Sequence, residues 1–158
     1  MNEVIRLPIR DQIFAIEQMS LAKLPQIKIP IRHYFLHGIY AREGIIPPDT
    51  LLTGVIHKYE NISIISKGTI RVNVDDQICE VSAPATIVAK PGIKRIGYTV
   101  TETVWTTITH AWLTDTEKKE LRNGTLLPSL YAFSVEEFEK FIKEQNQWLE
   151  LSPQQQQQ

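Results

Sequence analysis

The sequence predicts one mainly β domain, an antiparallel sandwich or small barrel, with helical segments before and after it. A chain of 158 residues, 42% of them hydrophobic, is long enough for one compact core and too short for two. Several short apolar runs occupy residues 39–113 with no long helix between them. This spacing excludes a parallel βαβ sheet and favours an antiparallel one.

The first stretch, residues 1–38, is predicted to form a helix followed by an extended arm. Asp11 is a candidate N-cap for a helix that ends before Pro25, because proline cannot continue a helix. Pro25 and Pro30 then predict extended chain over residues 23–32.

Residues 39–113 are predicted to form the strands. Ile70 and Val72 alternate with polar neighbours at a period of two, which is typical of a half-buried strand. Asp75 and Asp76 follow as a predicted hairpin turn. The other predicted strands, separated by proline and glycine, are residues 51–59, 62–66, 85–90, 96–100 and 104–110.

The last stretch, residues 114–158, is predicted to be a helix with a polar tail. Ser134 and Glu137 have the spacing of a capping box, and apolar residues recur at helical intervals over residues 135–149. Glutamine fills positions 154–158, a polar tract that we expect to fray.

Charge and composition narrow the possible partners and compartment. Lysine and arginine total 17 against 18 aspartates and glutamates. The chain therefore has no excess of positive charge that would favour the binding of nucleic acid. No apolar run approaches the roughly 20 residues that cross a bilayer, and the N-terminus lacks the pattern of a signal peptide. We therefore expect neither nucleic acid nor membrane as a partner. A single cysteine excludes an intramolecular disulfide and fits a reducing cytoplasm.

The histidines offer one candidate metal site. On a strand, His57 would share a face with Val55, and His110 would share one with Ile108, which predicts two imidazoles that point inward. Glu60 follows His57 closely and could complete a site formed by His57, Glu60 and His110. The alternative is that both histidines lie at the edge of the core and bond to the backbone.

Cations in the strand region form a second candidate site, one that would hold an anion at a mouth of the barrel. They are Arg42, Lys58, Lys67, Arg71, Lys94 and Arg95. We assign the predicted ligand-binding role to Arg71, Lys94 and Arg95, together with His57 and the aromatic ring of Tyr98. The alternative is solvated surface charge.

Two segments resemble the two-motif core of the cupins. They read GVIHKYENISIISKG from Gly54 and APATIVAKPGIKRIGY from Ala83, with TVWTT from Thr103. The resemblance covers residues 32–113. Over this range the chain is similar in particular to small cupin-like proteins that are widespread in tailed-bacteriophage genomes. The resemblance implies an antiparallel jelly-roll barrel, and a protein of the host cytoplasm or of the assembled virion.

The resemblance also identifies the positions where cupins hold one metal ion, with two histidines and a glutamate in the first motif and a histidine in the second. This chain has Val55, His57, Asn61 and Arg95 at those positions. An aliphatic, an imidazole, an amide and a guanidinium cannot bind a transition metal tightly, so we expect no cofactor. Strand parity adds that Tyr98 would be buried and Arg95 would point outward.

Two hypotheses about function follow. The first is a non-catalytic module of phage type, either a virion or assembly component or a protein that binds a small anion. The alternative is a metal-dependent enzyme, an isomerase, oxygenase or hydrolase, with one divalent transition metal in a rearranged site. We expect no catalysis, and a homo-oligomer in which the C-terminal helix or the N-terminal arm crosses between subunits. Other virion proteins are further possible partners.

Overall fold

Nine strands and three helices make up the part of the chain that the computed structural model describes, residues 8–125 and 131–150, the last three without their side chains. They are α1 (Ile9–Lys23), β1 (Ile31–Leu36), β2 (Ile39–Ile46), β3 (Leu51–Thr53), β4 (Asn61–Lys67), β5 (Thr69–Val74), β6 (Gln77–Ser82), β7 (Ala85–Ala89), β8 (Ile96–Thr99), β9 (Thr103–His110), α2 (Asp115–Arg122) and α3 (Val135–Glu150). Within these ranges, no helix has both the length and the apolar character to span a bilayer.

The strands form two antiparallel sheets, in the orders β1-β2-β9-β4-β7 and β3-β8-β5-β6. Strands β2 to β9 are distributed between the sheets in the order of a jelly roll, and β1 extends the first sheet at its edge. The predicted mainly β fold class, with helices before and after the strands along the chain, is confirmed. The first sheet thus takes in residues 31–36, which precede the stretch predicted to hold the strands.

The β5–β6 hairpin has the predicted turn. Asp75 and Asp76 adopt φ values of 47° and 64°, as a two-residue type I′ turn requires. The inward side chains of β5, Ile70 and Val72, are fully buried. Local turn chemistry and period-two alternation therefore agree with the tertiary fold at this hairpin.

The helix ends agree with the sequence in part. The predicted capping box of α3 is confirmed: Ser134 Oγ accepts from the backbone N of Glu137 at 3.1 Å, and the Glu137 carboxylate accepts from the backbone N of Ser134 at 2.8 Å. The predicted Asp11 cap is wrong, because α1 begins one turn earlier with Pro8 as its N-cap. Asp11 lies in the first turn, where its charge faces the positive end of the helix dipole. The sequence did not predict α2, which starts with its own capping box at Thr114.

Two strands bury the face opposite to the one predicted. On β9 Thr109 is buried and His110 is exposed, and on β8 Gly97 is buried and Tyr98 is exposed. Space explains the choice on β8, since a Cβ at Gly97 would lie only 3.0 Å from Ile70 Cδ1. The predicted inward orientations of His110 and Tyr98 are therefore wrong.

Residues 131–133 close one end of the barrel. The backbone N of Lys58 donates to the Tyr131 carbonyl at 3.0 Å, and the N of Phe133 donates to the Ile56 carbonyl at 2.9 Å. The buried cluster at this end consists of Tyr40, Ala111, Leu121, Tyr131 and Ala132. A segment far along the chain from the barrel motifs thus forms part of the barrel wall.

Candidate ligand-binding site

A cavity of about 300 Å³ lies between the two sheets. Most of the residues that line it are buried or half-buried. Three of them are exposed: Arg42, Val55 and Ile93. These three residues therefore mark its opening to solvent. A volume near 300 Å³ is at the lower end of the range for small-molecule sites.

Strand register arranges the lining of the five-stranded sheet in layers. The pairing of β2, β9 and β4 gives one layer of Tyr40, Thr109 and Asn61 and a next layer of Arg42, Thr107 and Ser63. A third layer lies two residues further along the strands, about 7 Å from the layer of Arg42. In it, Gly44 of β2 pairs with Ile31 of β1 on one side and with Trp105 of β9 on the other. The cavity therefore has polar layers on one side and an apolar layer on the other.

His57 lies in the polar part, on the segment between β3 and β4. Its backbone pairs with Ala132, its carbonyl accepts from the N of Gly92 at 3.0 Å, and its ring is 5.3 Å from that of Tyr131. Burial, helped by the charge of Arg42, lowers the pKa of His57 to about 4. The imidazole is therefore neutral at pH 7.

Two buried polar atoms at the cavity lack a hydrogen-bond partner. They are His57 Nδ1 and Thr109 Oγ1, the only such side-chain atoms in the described part of the chain. Thr109 is 5% exposed, and both residues line the cavity. Because most buried polar atoms are paired in native proteins, two unpaired ones in the same cavity indicate a place for a bound molecule.

Arg95 also faces the cavity, from the segment just before β8. Its guanidinium donates to the Asn73 carbonyl, and burial lowers its pKa while the charge of Asp75 opposes that shift. The predicted outward orientation of Arg95 is wrong. The prediction assumed that Tyr98 would be buried, whereas the inward positions that follow Arg95 are Gly97 and Thr99.

The lining of the cavity is positively charged. It includes two arginines, Arg42 and Arg95, and no aspartate or glutamate among the described residues. Neither guanidinium forms an ion pair with any of the residues that the structure describes. The described lining therefore combines two cations and one neutral imidazole without a carboxylate, and Asp75 acts on Arg95 through its charge from outside the lining.

Two of the predicted ligand-binding residues lie outside the cavity. Arg71 and Tyr98 are on the outer face of the four-stranded sheet, where Arg71 Nε is 3.2 Å from Glu80 Oε2 and the Tyr98 hydroxyl donates to Asp49 at 2.9 Å. Val72, beside Arg71, takes the inward position. The structure thus separates Arg71 and Tyr98 from His57 and Arg95.

Lys94, the remaining predicted ligand-binding residue, is buried against α1. Its Nζ is 2.6 Å from Glu17 Oε2 and 2.7 Å from the Gly54 carbonyl, and it lies 4.9 Å from the centre of the Phe14 ring. The same Glu17 oxygen accepts from Thr53 Oγ1 at 2.5 Å. The charge of Lys94 is therefore neutralised inside the protein, and the residue anchors α1 beside the cavity.

The residues of the alternative metal site are not brought together. Only His57 lines the cavity, while Glu60 and His110 are exposed and the His110 ring lies 6.4 Å from that of Tyr59 on the outside. Among the described residues, no three histidine, cysteine, aspartate or glutamate side chains are placed to hold a metal ion.

The four positions that correspond to cupin metal ligands do converge. Val55, His57, Asn61 and Arg95 all line this cavity. The strand order of the two sheets is that of the jelly roll which the resemblance to cupins implies. Within that fold, Asn61 Nδ2 donates to the Tyr59 carbonyl at 3.4 Å, and a guanidinium stands where the last histidine would be. One imidazole beside a permanent cation does not fit a resident transition metal.

Four residues of the site were not assigned to it from the sequence. Arg42 was one of several scattered cations, and Thr107 and Thr109 looked like the outward positions of β9. Their alternation with Ile108 is a signal that could have been interpreted either way. Tyr131 carries no local signal, because only the path of the chain after α2 brings it to the cavity.

Solved structures similar to this chain include several cupins. A RmlC-like cupin from Shewanella frigidimarina has 17% identity and a TM-score of 0.46, over 58% of this chain and 88% of that one. A cupin superfamily protein from Desulfitobacterium hafniense has 10% identity and a TM-score of 0.47, over 70% and 94%. A RmlC-like cupin family protein from Methanocaldococcus jannaschii has 10% identity and a TM-score of 0.46, over 63% and 91%. No family model and no curated protein matches the sequence.

Proposed function

We propose that this protein is a non-catalytic cupin-fold module that binds a small anion in the cavity between its sheets. The observation that carries the proposal is the pair Arg42 and Arg95, which line a cavity without any acidic residue among those described. A partly desolvated guanidinium gains from charge-assisted hydrogen bonds to an anion. A neutral His57 adds hydrogen bonding there without adding charge.

The chemistry of the cavity supports binding over catalysis. A general acid or base works best with a pKa near the operating pH, and burial lowers the pKa of His57 to about 4. The lining offers no carboxylate among the described residues to assist it. Since the donor set does not fit a transition metal either, a metal-dependent isomerase, oxygenase or hydrolase is the weaker hypothesis.

The melting temperature of the full chain tests the proposal. We expect sodium phosphate or sodium succinate at millimolar concentration to raise it, relative to sodium chloride at equal ionic strength. The double variant Arg95→Ala with His57→Ala should keep its far-ultraviolet circular dichroism and lose this shift. Arg71→Ala is the matched control, because Arg71 pairs with Glu80 outside the cavity, and it should keep the shift. A wild-type protein that no anion stabilises would contradict the proposal.

A second candidate function, in assembly, is supported by the outer face of the five-stranded sheet. Register places five apolar residues side by side across all its strands: Tyr34, Ala41, Ile108, Ile62 and Val88. Three of them are well exposed, with 49% for Tyr34, 40% for Ile62 and 69% for Val88. The other two, Ala41 and Ile108, are half-buried. An apolar stripe with well-exposed members is typical of an interaction surface. It suits a virion or assembly component of phage type, present in the host cytoplasm or the virion, that packs against further copies of itself.

A further inference from the structure

We infer that the anion is an organic acid with an apolar body, its acid group held near His57 between Arg42 and Arg95 and its body against Trp105. This inference rests on the proposed function, because it names the class of ligand for the same cavity. It follows from how polar and apolar residues are arranged along the strands.

The acid group belongs to the polar layers. Arg42 lies on β2 of one sheet and Arg95 just before β8 of the other, so one anion between the sheets has a guanidinium on each side. Thr109 Oγ1 is buried without a partner. A carboxylate oxygen would accept a hydrogen bond from this hydroxyl, and this would remove the cost of leaving the group unpaired.

The apolar body belongs to the layer formed by Ile31, Gly44 and Trp105. Gly44 pairs directly with Trp105 across β2 and β9, so no side chain of β2 covers the indole there. Ile46 and Leu52 continue the apolar lining. An inorganic anion would contact the polar layers alone and would leave these walls against water, at the usual cost of exposed apolar surface.

Titration calorimetry with small acids on the full chain tests the inference. Benzoate and cyclohexanecarboxylate should bind about tenfold or more tightly than acetate, which carries the same acid group without a body. Benzamide, an uncharged analogue of benzoate, should bind far more weakly than benzoate. Inorganic phosphate should bind no better than acetate.

The possible results separate the inference from the proposed function. If acetate or phosphate binds as tightly as benzoate, the inference is wrong and the proposed function stands. If benzamide binds as tightly as benzoate, the cavity is an apolar pocket and both are wrong. If none of these acids binds, both are again wrong.

Variants of the two halves of the cavity give a second test. Gly44→Ala adds a Cβ that would lie 3.4 Å from Ile31 Cδ1, an ordinary contact, so it should fold while narrowing the space beside Trp105. It should weaken the binding of benzoate and leave the binding of acetate unchanged. Arg42→Gln should weaken the binding of both acids equally. Arg32→Gln is the matched control, because Arg32 is exposed and paired with Glu43, and it should weaken neither. Equal effects of Gly44→Ala on benzoate and acetate would overturn the inference.

Discussion

At the scale of the residue, the hydroxyl of Thr109 is expected to lower the stability of the ligand-free protein, because it lines the cavity without a hydrogen-bond partner. It is buried and unpaired, so Thr109→Val should stabilise the ligand-free protein by about 1 kcal/mol, the cost of an unsatisfied buried group. Thr99→Val is the matched control, because Thr99 Oγ1 donates to the Pro47 carbonyl at 2.6 Å and accepts from the N of Thr50 at 3.0 Å. That change should destabilise the protein by about 1 kcal/mol. Urea unfolding measures both, and a Thr109→Val variant less stable than wild type would contradict the expectation.

The low pKa of His57 predicts that the free energy of unfolding decreases in acid. Its pKa falls from 6.5 to about 4 on folding, so the unfolded chain takes up a proton before the folded protein does. The contribution of the neutral His57 to the free energy of unfolding is therefore complete above pH 6.5, and it is lost as the pH falls toward 4. Between pH 7.5 and pH 5 the wild type should lose about 2 kcal/mol more of its free energy of unfolding than His57→Gln.

Urea unfolding at both pH values measures this difference. His110→Gln is the control, because His110 is exposed on the outer face of β9, and it should lose as much stability as the wild type. Parallel losses in wild type and His57→Gln would show that His57 is not the group responsible.

At the scale of the element, α1 depends on one buried ion pair. Lys94 has a side chain only 5% exposed, and Glu17 of α1 is its acidic partner at 2.6 Å. Glu17→Ala should cost about 3 kcal/mol, because it leaves the ammonium buried without a counter-charge. Glu102→Ala removes the partner of Lys67 in an exposed pair, and it should cost less than about 1 kcal/mol.

Urea unfolding compares the two variants, and Glu17→Ala with Lys94→Met should recover part of the loss. Equal small losses for Glu17→Ala and Glu102→Ala would contradict the role of this pair in anchoring α1.

At the scale of the whole molecule, we expect a homo-oligomer, most simply a two-fold dimer. The sequence prediction places α3 or the N-terminal arm between the subunits, and the apolar stripe on the five-stranded sheet is a second possible surface. Val135 at the start of α3 is 76% exposed and Val88 in the stripe is 69% exposed. Val135→Lys and Val88→Lys therefore form a matched pair, since a lysine in a packed apolar interface is strongly unfavourable.

Sedimentation at micromolar concentration decides between the surfaces. Dissociation by one variant alone identifies its surface as the interface. A wild-type protein that sediments only as a monomer would reject the expected oligomer.

The sequence by itself determined the elements whose signals are local. The hairpin at Asp75 and Asp76 and the capping box at Ser134 depend on residues a few positions apart, so their patterns predict the structure directly. The motif positions of His57 and Arg95 were also available from the sequence. Their convergence on one cavity follows from the jelly-roll fold that the resemblance implied.

Only the tertiary structure decided which face of each strand points inward. Alternation on β9 separates Ile108 from Thr107 and Thr109, but the period alone does not say which set is buried. Around a polar cavity the usual rule is inverted, because threonine lines the cavity while isoleucine contributes to the outer face. Tyr131 could not be assigned for a different reason. Its place beside His57 depends on pairing between segments far apart in the chain, and no local pattern records such contacts.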